Sequence, residues 1–468
     1  MFPERLEDYI GAENQVRFLE AFVGTLDLHA LGFAKAHCAA TGRPPYDPAA
    51  LLKLYLYGYL HRIRSSRLLE AECHRNVEVI WLLGKLTPDF KTIADFRKDN
   101  LKPLRAVNRQ FTMLCHKLEL FGGQLLAIDG SKFGAVNARE ANFNAAKLQE
   151  LIGRTDARLA EYFKELDAAD AAEPATAALD KAQLAEKIAA LQEKQDWHKE
   201  LLAQLDEEQK QISATDPDTR KMSTAQGMMV GYNAQVAVDA KHKLIAADDV
   251  TNEVTDYKQL ANVALAAKAN LELKQAEVVA DAGYYNAAEV SRCAEEGLTA
   301  YVPKADTSAN TARGLYGKSR FRYDEKKDVY VCPAGAQLTH RFNTYELGRE
   351  LRYYRASGCK GCALKKQCTR NKGNRRITRE ENEGLMEAMA ARMKAQPEKF
   401  KLRKELAEHP FGTIKRWFGY THFLLKGLMK VRTEWSLTTL AYNLKRVLNL
   451  VSFAKLMAAV GVKVAQSA

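Results

Sequence analysis

Gln124-Leu-Leu-Ala-Ile-Asp-Gly-Ser-Lys132 is an apolar run that closes on an acid and is followed at once by glycine, a hydroxyl and a cation. A short apolar run bounded by turn residues predicts a buried strand, here with Asp129 at its end. A second run, Ala276-Glu-Val-Val-Ala280, closes in the same way on Asp281 within Ala280-Asp-Ala-Gly-Tyr-Tyr-Asn286. Each carboxylate is therefore expected at the C-terminal edge of a strand, the edge on which open α/β sheets place ligands. A third acid, Glu408, lies in the charged helical stretch Lys399-Phe-Lys-Leu-Arg-Lys-Glu-Leu-Ala-Glu-His-Pro410 and is expected to be laid across those two strands. Hard divalent cations favour such a set of oxygens. Glu405, three residues before Glu408 on the same helical face, is the rival third ligand.

The segments around the two aspartates give the fold class. Met228-Met-Val-Gly-Tyr-Asn-Ala-Gln-Val-Ala-Val-Asp239 and Lys243-Leu-Ile-Ala-Ala-Asp-Asp-Val250 read as a hairpin joined at Ala240-Lys-His. Residues 256 to 272 read as a helix leading into the Asp281 strand, and Asn286 to Glu296 as another helix before a short strand at Thr299-Ala-Tyr-Val-Pro303. The order strand, hairpin, helix, strand, helix, strand, helix predicts an α/β, ribonuclease-H-like mixed sheet flanked by helices. It is assembled from residues 121–144, 213–303 and 376–455. Gly283 is expected to open room beside Asp281, with Tyr284 or Tyr285 available to pack on a sugar or base.

Around this core the sequence predicts an N-terminal all-helical domain over residues 1–120. Its main helix is Ala49-Ala-Leu-Leu-Lys-Leu-Tyr-Leu-Tyr-Gly-Tyr-Leu60, trailed by the basic residues Arg62, Arg64 and Arg67, and Thr92 is a candidate cap for a further short helix. A helical-hairpin insertion spans 145–212, where Leu148, Ile152, Thr155, Leu159, Tyr162 and Leu166 and then Leu184, Ile188, Leu191, Gln195, His198, Leu202 and Leu205 recur in steps of four and three around a break near Pro174. Gln195 and His198 fall on the seam, where polar residues usually set register. A Cys-containing insertion covers 304–375, and 456–468 form a C-terminal tail.

At 468 residues the chain is long enough for several structural units. Lys and Arg number 70 against 58 Asp and Glu, a net charge of +12 that suits a polyanionic partner. No run of about 20 apolar residues predicts a membrane span, and the first residues lack an apolar signal region, so a cytoplasmic protein is expected. Of the eight cysteines, Cys38, Cys73, Cys115 and Cys293 are scattered through helical segments as core residues. Cys332, Cys359, Cys362 and Cys368 instead cluster, with Cys359-Lys-Gly-Cys362 as a knuckle. Four thiolates so spaced predict a structural zinc; an iron–sulfur cluster and metal-free thiols are the alternatives. Arginines and lysines interleaved with them suggest that this insertion lies along DNA.

Ile128-Asp-Gly-Ser-Lys132, Ala280-Asp-Ala-Gly-Tyr284, Glu408-His-Pro-Phe-Gly-Thr-Ile-Lys415 and Tyr442-Asn-Leu-Lys-Arg446, in that order, resemble the DDE transposases of bacterial insertion sequences, with the nearest likeness to the insertion-sequence 1182 branch of the insertion-sequence 4/5 superfamily. The resemblance covers nearly the whole chain. In that larger group the glutamate helix usually carries Tyr, Arg, Glu and Lys at fixed steps. This chain keeps Glu408 and Lys415 but has Lys401 and Lys404 at the Tyr and Arg steps, with Arg403 one place off. The resemblance implies that Asp129, Asp281 and Glu408 hold two Mg²⁺ or Mn²⁺ ions for in-line phosphodiester displacement. It further implies that Lys132, Lys415, Tyr442 and Arg446 position phosphates, and Arg416 and Lys445 extend that basic surface. The implied partners are double-stranded DNA, as transposon terminal inverted repeats and target, and a second copy of the chain, in a nucleoid-associated, cytoplasmic setting. A nuclease of the same fold without strand transfer, and an inactive DNA-binding protein, are the competing readings.

Overall fold

The structure is a computed structural model that describes residues 5–36, 45–170, 177–205, 211–304, 309–346 and 349–462. Cys38, the break at Pro174 and the last six residues of the expected tail lie outside the described residues.

The N-terminal part is helical: α1 (Gln15–Gly24), α2 (Pro48–Leu60), α3 (Ser66–Arg75), α4 (Val77–Leu82), α5 (Phe90–Asp99) and α6 (Leu101–Lys117). Helix α2 is buried on almost every side, because its Leu and Tyr residues meet α1, α4 and α5 around its girth and a long C-terminal helix besides. The cap of α5 is Asp89, whose carboxylate accepts from Thr92 N at 2.9 Å, so Thr92 sits inside the first turn as a donor instead of capping it.

The main sheet is built on β1 (Leu125–Gly134), β2 (Arg220–Thr224), β3 (Gly227–Asp239), β4 (Ile245–Thr251), β5 (Ala276–Val279) and β6 (Leu298–Tyr301). Strand β3 pairs antiparallel with β1 on one edge and with both β2 and β4 on the other, while β5 and then β6 add parallel on the far side of β1. Helices α9 (Leu260–Asn270) and α10 (Ala287–Glu295) join these last strands, as their apolar repeat predicts. Helices α12 (Pro397–Gly412) and α13 (Leu428–Leu450) also pack on the sheet, and α13 carries α2 and α6 on its outer side. The N-terminal helices and the sheet thus share one core.

Asp129 does not end its strand. The strand continues through Gly130-Ser-Lys-Phe-Gly134, paired residue for residue with Gln235 back to Gly231 of β3. This extension depends on Gly231, where a Cβ would stand 2.1 Å from Phe133 O. The parallel pairing of β1 with β5 stops at Ala127–Val279. Beyond that point β1 runs on without β5, leaving a notch with Asp129 on one side and Asp281, just past the end of β5, on the other.

Two smaller pieces are set into this frame. Helices α7 (Ala145–Asp170) and α8 (Ala177–Ala203) pack on each other as a hairpin, tied at its base by a two-stranded ladder of Asn142–Asn144 with Gln211–Ser213. Along its seam Gln195 donates to Asp156, and His198 is buried beside Phe143 and Trp197, a register role. A second, antiparallel sheet is formed by β7 (Arg322–Asp324), β8 (Val329–Val331), β9 (Gln337–Glu346), β10 (Arg349–Ala356) and β11 (Arg376–Glu380). Because β11 pairs with β10, the cysteine-bearing piece extends past residue 375. Helix α11 (Glu383–Ala395) then leads to α12. Among the described residues no helix is long and apolar enough to cross a membrane.

Candidate active site

The notch is closed from above by α12. Its sheet-facing side carries Arg403, Leu406, Ala407, Pro410 and Phe411, spaced as one helical face, with Lys399 a turn earlier bonded to Glu277 of β5. Arg403 reaches both aspartates: its Nη2 donates to Asp129 Oδ1 at 2.9 Å and to Asp281 Oδ2 at 3.4 Å. Two acids from separate strands therefore share one cation. Burial pushes the Asp129 carboxyl up to about 6, against the pull of Arg403, with the Asp281 charge adding to the rise. Its side chain is 14% exposed, whereas that of Asp281 is 41% exposed. Asp281 is held by its own turn, with Oδ1 accepting from Gly283 N at 2.8 Å.

A polar network fixes the loop that presents Asp281. Asp256 accepts from Asn233 Nδ2 and Gln235 Nε2, both at 2.7 Å, and from Lys132 Nζ at 3.5 Å. Tyr284 is fully buried and its hydroxyl donates to Gln235 Oε1. The ring expected to pack on a sugar or base is thus an internal strut, while Tyr285 is half-buried. Both glycines beside the acids are required by crowding. A Cβ on Gly283 would lie 2.9 Å from Asp281 Oδ1, and one on Gly130 would lie 2.2 Å from Gln235 Nε2 and 2.8 Å from Asp256 Oδ1. We expect Gly130→Ala to cost about 2 kcal/mol in urea denaturation, by displacing Gln235 or Asp256 from a satisfied buried network. A loss below about 0.5 kcal/mol would show that the network gives way freely.

The third acid does not join the pair in this structure. Glu408 is exposed on α12, five residues and therefore about 140° around the helix from Arg403, and no hydrogen bond or ion pair of the described residues reaches it. Glu405 is engaged elsewhere, 2.6 Å from Lys243 Nζ, which holds its carboxyl below the usual range. Among the described residues no group of three or more His, Cys, Asp or Glu side chains is gathered closely enough to hold a metal ion. The physical reason at the aspartates is Arg403, which already supplies the positive charge that two neighbouring carboxylates demand. The aspartates alone fit a divalent cation: hard oxygens, partly dehydrated, already converging on a cationic group. Removing that competitor as Arg403→Gln should tighten Mn²⁺ binding to the metal-free protein on the order of tenfold, read by Mn²⁺ electron paramagnetic resonance. Unchanged or weaker Mn²⁺ binding would instead make Arg403 a support for the cradle.

The expected phosphate-contacting residues divide. Lys415 donates to Ser131 Oγ at 2.6 Å and to Lys132 O at 2.9 Å, so it braces β1 beside Asp129, and burial lowers its ammonium. Lys132 faces Asp256 and is likewise lowered by burial. Arg416 is exposed, and Lys445 lies 5.2 Å over the Trp417 ring. Tyr442, expected at a phosphate, is instead fully buried, its hydroxyl 2.7 Å from Lys243 O and 3.0 Å from His409 Nδ1, so a phosphate has no route to it. Arg446 is spent nearby, with Nε donating to His242 O at 2.7 Å and Nη1 lying 3.1 Å from His409 Nε2.

Cys332, Cys359, Cys362 and Cys368 line one small cavity with Tyr316 and Arg375. Burial raises the Cys368 thiol, Arg375 opposes this, and the other three sulfurs add to the rise, so all four lie within electrostatic reach. They too fall short of a gathered metal-holding set. The remaining described cysteines, Cys73, Cys115 and Cys293, are free and buried, as core residues.

Two family comparisons bear on this geometry. Residues 331–448 match a family described as a transposase DDE domain, and residues 4–99 match one described as a transposase domain. The first match spans the cysteine cluster, Glu408 and Tyr442 but stops short of Asp129 and Asp281; the second covers most of the N-terminal helices. No curated protein and no solved structure matches the chain. The two matches together indicate a transposase.

Proposed function

We propose, from the premise that the matched families indicate a transposase, that this chain is a DDE transposase of the insertion-sequence 1182 kind that cuts and joins double-stranded DNA at transposon ends. One observation carries the reading: Asp129 and Asp281, from strands far apart in sequence, meet over a single cation at the notch where β1 runs past β5. The strand order, four antiparallel strands extended by two parallel ones and flanked by helices, supports a ribonuclease-H-like core.

In this reading Asp129 and Asp281, joined by Glu408 once α12 turns or the Arg403 contact is exchanged, would hold Mg²⁺ or Mn²⁺. Such ions activate the attacking oxygen and offset charge on the leaving one. The chain's own contribution is positional. Lys415 and the β3 pairing keep β1 straight past Asp129, the Asp256–Gln235–Tyr284 network holds the Asp281 turn, and exposed Arg416 offers charge to the DNA backbone. The four clustered thiols support a structural zinc in the second sheet, its ligands drawing together on binding. Terminal inverted repeats and target DNA as substrates, pairing of two copies and a nucleoid-associated location in the cytoplasm belong to the same proposal.

The test is joining. The purified protein with Mn²⁺ should transfer a pre-nicked end bearing a free 3′-hydroxyl to a second duplex, with EDTA abolishing the product. Cleavage without joined product would favour the nuclease reading, and DNA binding with neither would favour an inactive regulator.

A further inference from the structure

Trp417 ends an irregular, π-type turn, Thr413–Trp417, that follows α12. The extra residue in such a turn re-aims the side chains after it. Lys415 within it points to β1 beside Asp129, whereas Trp417 stands out at the surface, 42% exposed. Two cations from distant parts of the chain lie on its ring: Arg62 Cζ is 4.0 Å from the centroid and Lys445 Nζ is 5.2 Å from it. Arg62 follows α2 in the N-terminal helices and is itself exposed. The ring is backed by Phe418, edge-on at 4.9 Å, which stacks on Tyr420 at 5.3 Å, and Tyr420 donates to Tyr59 O at 3.0 Å. The post is therefore rooted in the core of both halves. Among the described ion pairs none neutralises Arg62, Lys445 or the exposed Arg416 next to the ring, although Arg64 close by is paired with Glu434.

Cation–π attraction holds both groups at the indole without neutralising either, so an anion at this ring would meet two uncompensated charges. We propose that Trp417, with Arg62, Lys445 and Arg416, is a docking post for the phosphodiester backbone of duplex DNA, joining the N-terminal helices and the sheet domain into one grip next to Asp129. This deepens the transposase reading and rests on it, since a strand held here lies along the turn that also braces the acid-bearing strand.

Full-length protein in EDTA is titrated with a fluorescein-labelled duplex at several salt concentrations. For a phosphate contact the logarithm of affinity falls with the logarithm of salt by ~0.9 per phosphate neutralised, so Arg62→Gln and Lys445→Gln should each flatten the slope by about one and weaken binding several-fold at 100 mM salt. Trp417→Leu removes no charge, yet it should weaken binding about as much by releasing the two cations. Lys394→Gln, the same charge change on α11, serves as the reference. Equal losses in Lys394→Gln and Arg62→Gln would mean a diffuse field and overturn the proposal, as would unchanged binding by all three site variants with unaltered melting. A parent protein that binds no DNA would overturn both this inference and the transposase reading; steep binding by the parent with indifferent variants would remove this inference alone.

Discussion

Asp129→Asn should lose DNA cleavage by on the order of 1,000-fold or more, a barrier increase of about 4 kcal/mol, while the metal-free protein becomes more stable at neutral pH. The two effects share a cause. Asp129 is forced into a nearly closed notch opposite a second carboxylate, and its carboxyl is pushed up to about 6 from an ordinary value of 3.8. A group raised on folding favours the fold while protonated and opposes it once ionised. The contribution is fully favourable below about pH 4 and is lost as pH rises through 6, so near pH 7.5 the ionised side chain costs the apoprotein about 3 kcal/mol. Asparagine carries no such charge. Urea denaturation in EDTA should therefore show Asp129→Asn ahead by about that amount at pH 7.5, with the two proteins converging near pH 4. A gap that does not change with pH would mean that Arg403 already compensates Asp129 completely. Retained cleavage would take the residue out of the chemistry.

That trade between stability and activity is written in the sequence only in part. The runs ending at Asp129 and Asp281 are strands because they are short and, Glu277 apart, apolar between turn residues, and the hairpin of β3 and β4 follows from their alternation and the polar turn between them. Where β1 ends is another matter. Gly130-Ser-Lys has the composition of a turn, and it stays extended only because β3, relieved of a side chain at Gly231, runs alongside it. Such tertiary pairing has no local signature. Asp256 is equally hidden: it sits in a polar loop without period, and its role exists only once Asn233 and Gln235 face it across the sheet.

Arg403 was within reach of a helical projection. It shares a face with Leu406, Ala407 and Pro410, so it must point at the sheet, whereas Glu408 falls off that face. The likeness to the family's glutamate helix singles out the acid, because Arg403 stands one place off the arginine step of that motif. The same likeness points Tyr442 at DNA, but its neighbours Ala441, Asn443 and Leu444 are all buried, and a residue in the middle of such a run is ordinarily core.

Glu434→Ala should destabilise the whole protein by about 3–5 kcal/mol, because it removes a fully enclosed carboxylate and strips the partner from Arg64, a largely buried charge between the helical half and the sheet. Glu434 on α13 has no exposed surface; it accepts from Leu424 N through both oxygens and from Leu425 N, each at 3.0 Å, and pairs with Arg64 at 3.1 Å. One carboxylate thus secures two things at once. Arg64 ties the segment after α2 to α13 and also donates to His422 O at 2.9 Å, while the loop whose N–H groups Glu434 holds adds to the end of β1, with Phe423 N donating to Gly134 O at 2.8 Å. Losing the acid leaves the Arg64 charge and two backbone donors unsatisfied and slackens the strand that carries Asp129. Removing Arg64 as well, in Arg64→Met with Glu434→Ala, should recover only the part due to the stranded cation, since the Leu424 and Leu425 N–H groups still lack an acceptor. Denaturation midpoints of the single and double variants separate the two contributions. If the double variant returns to parental stability, the carboxylate serves Arg64 alone; if Glu434→Ala costs less than about 1 kcal/mol, the contact between the two halves does not depend on this charge.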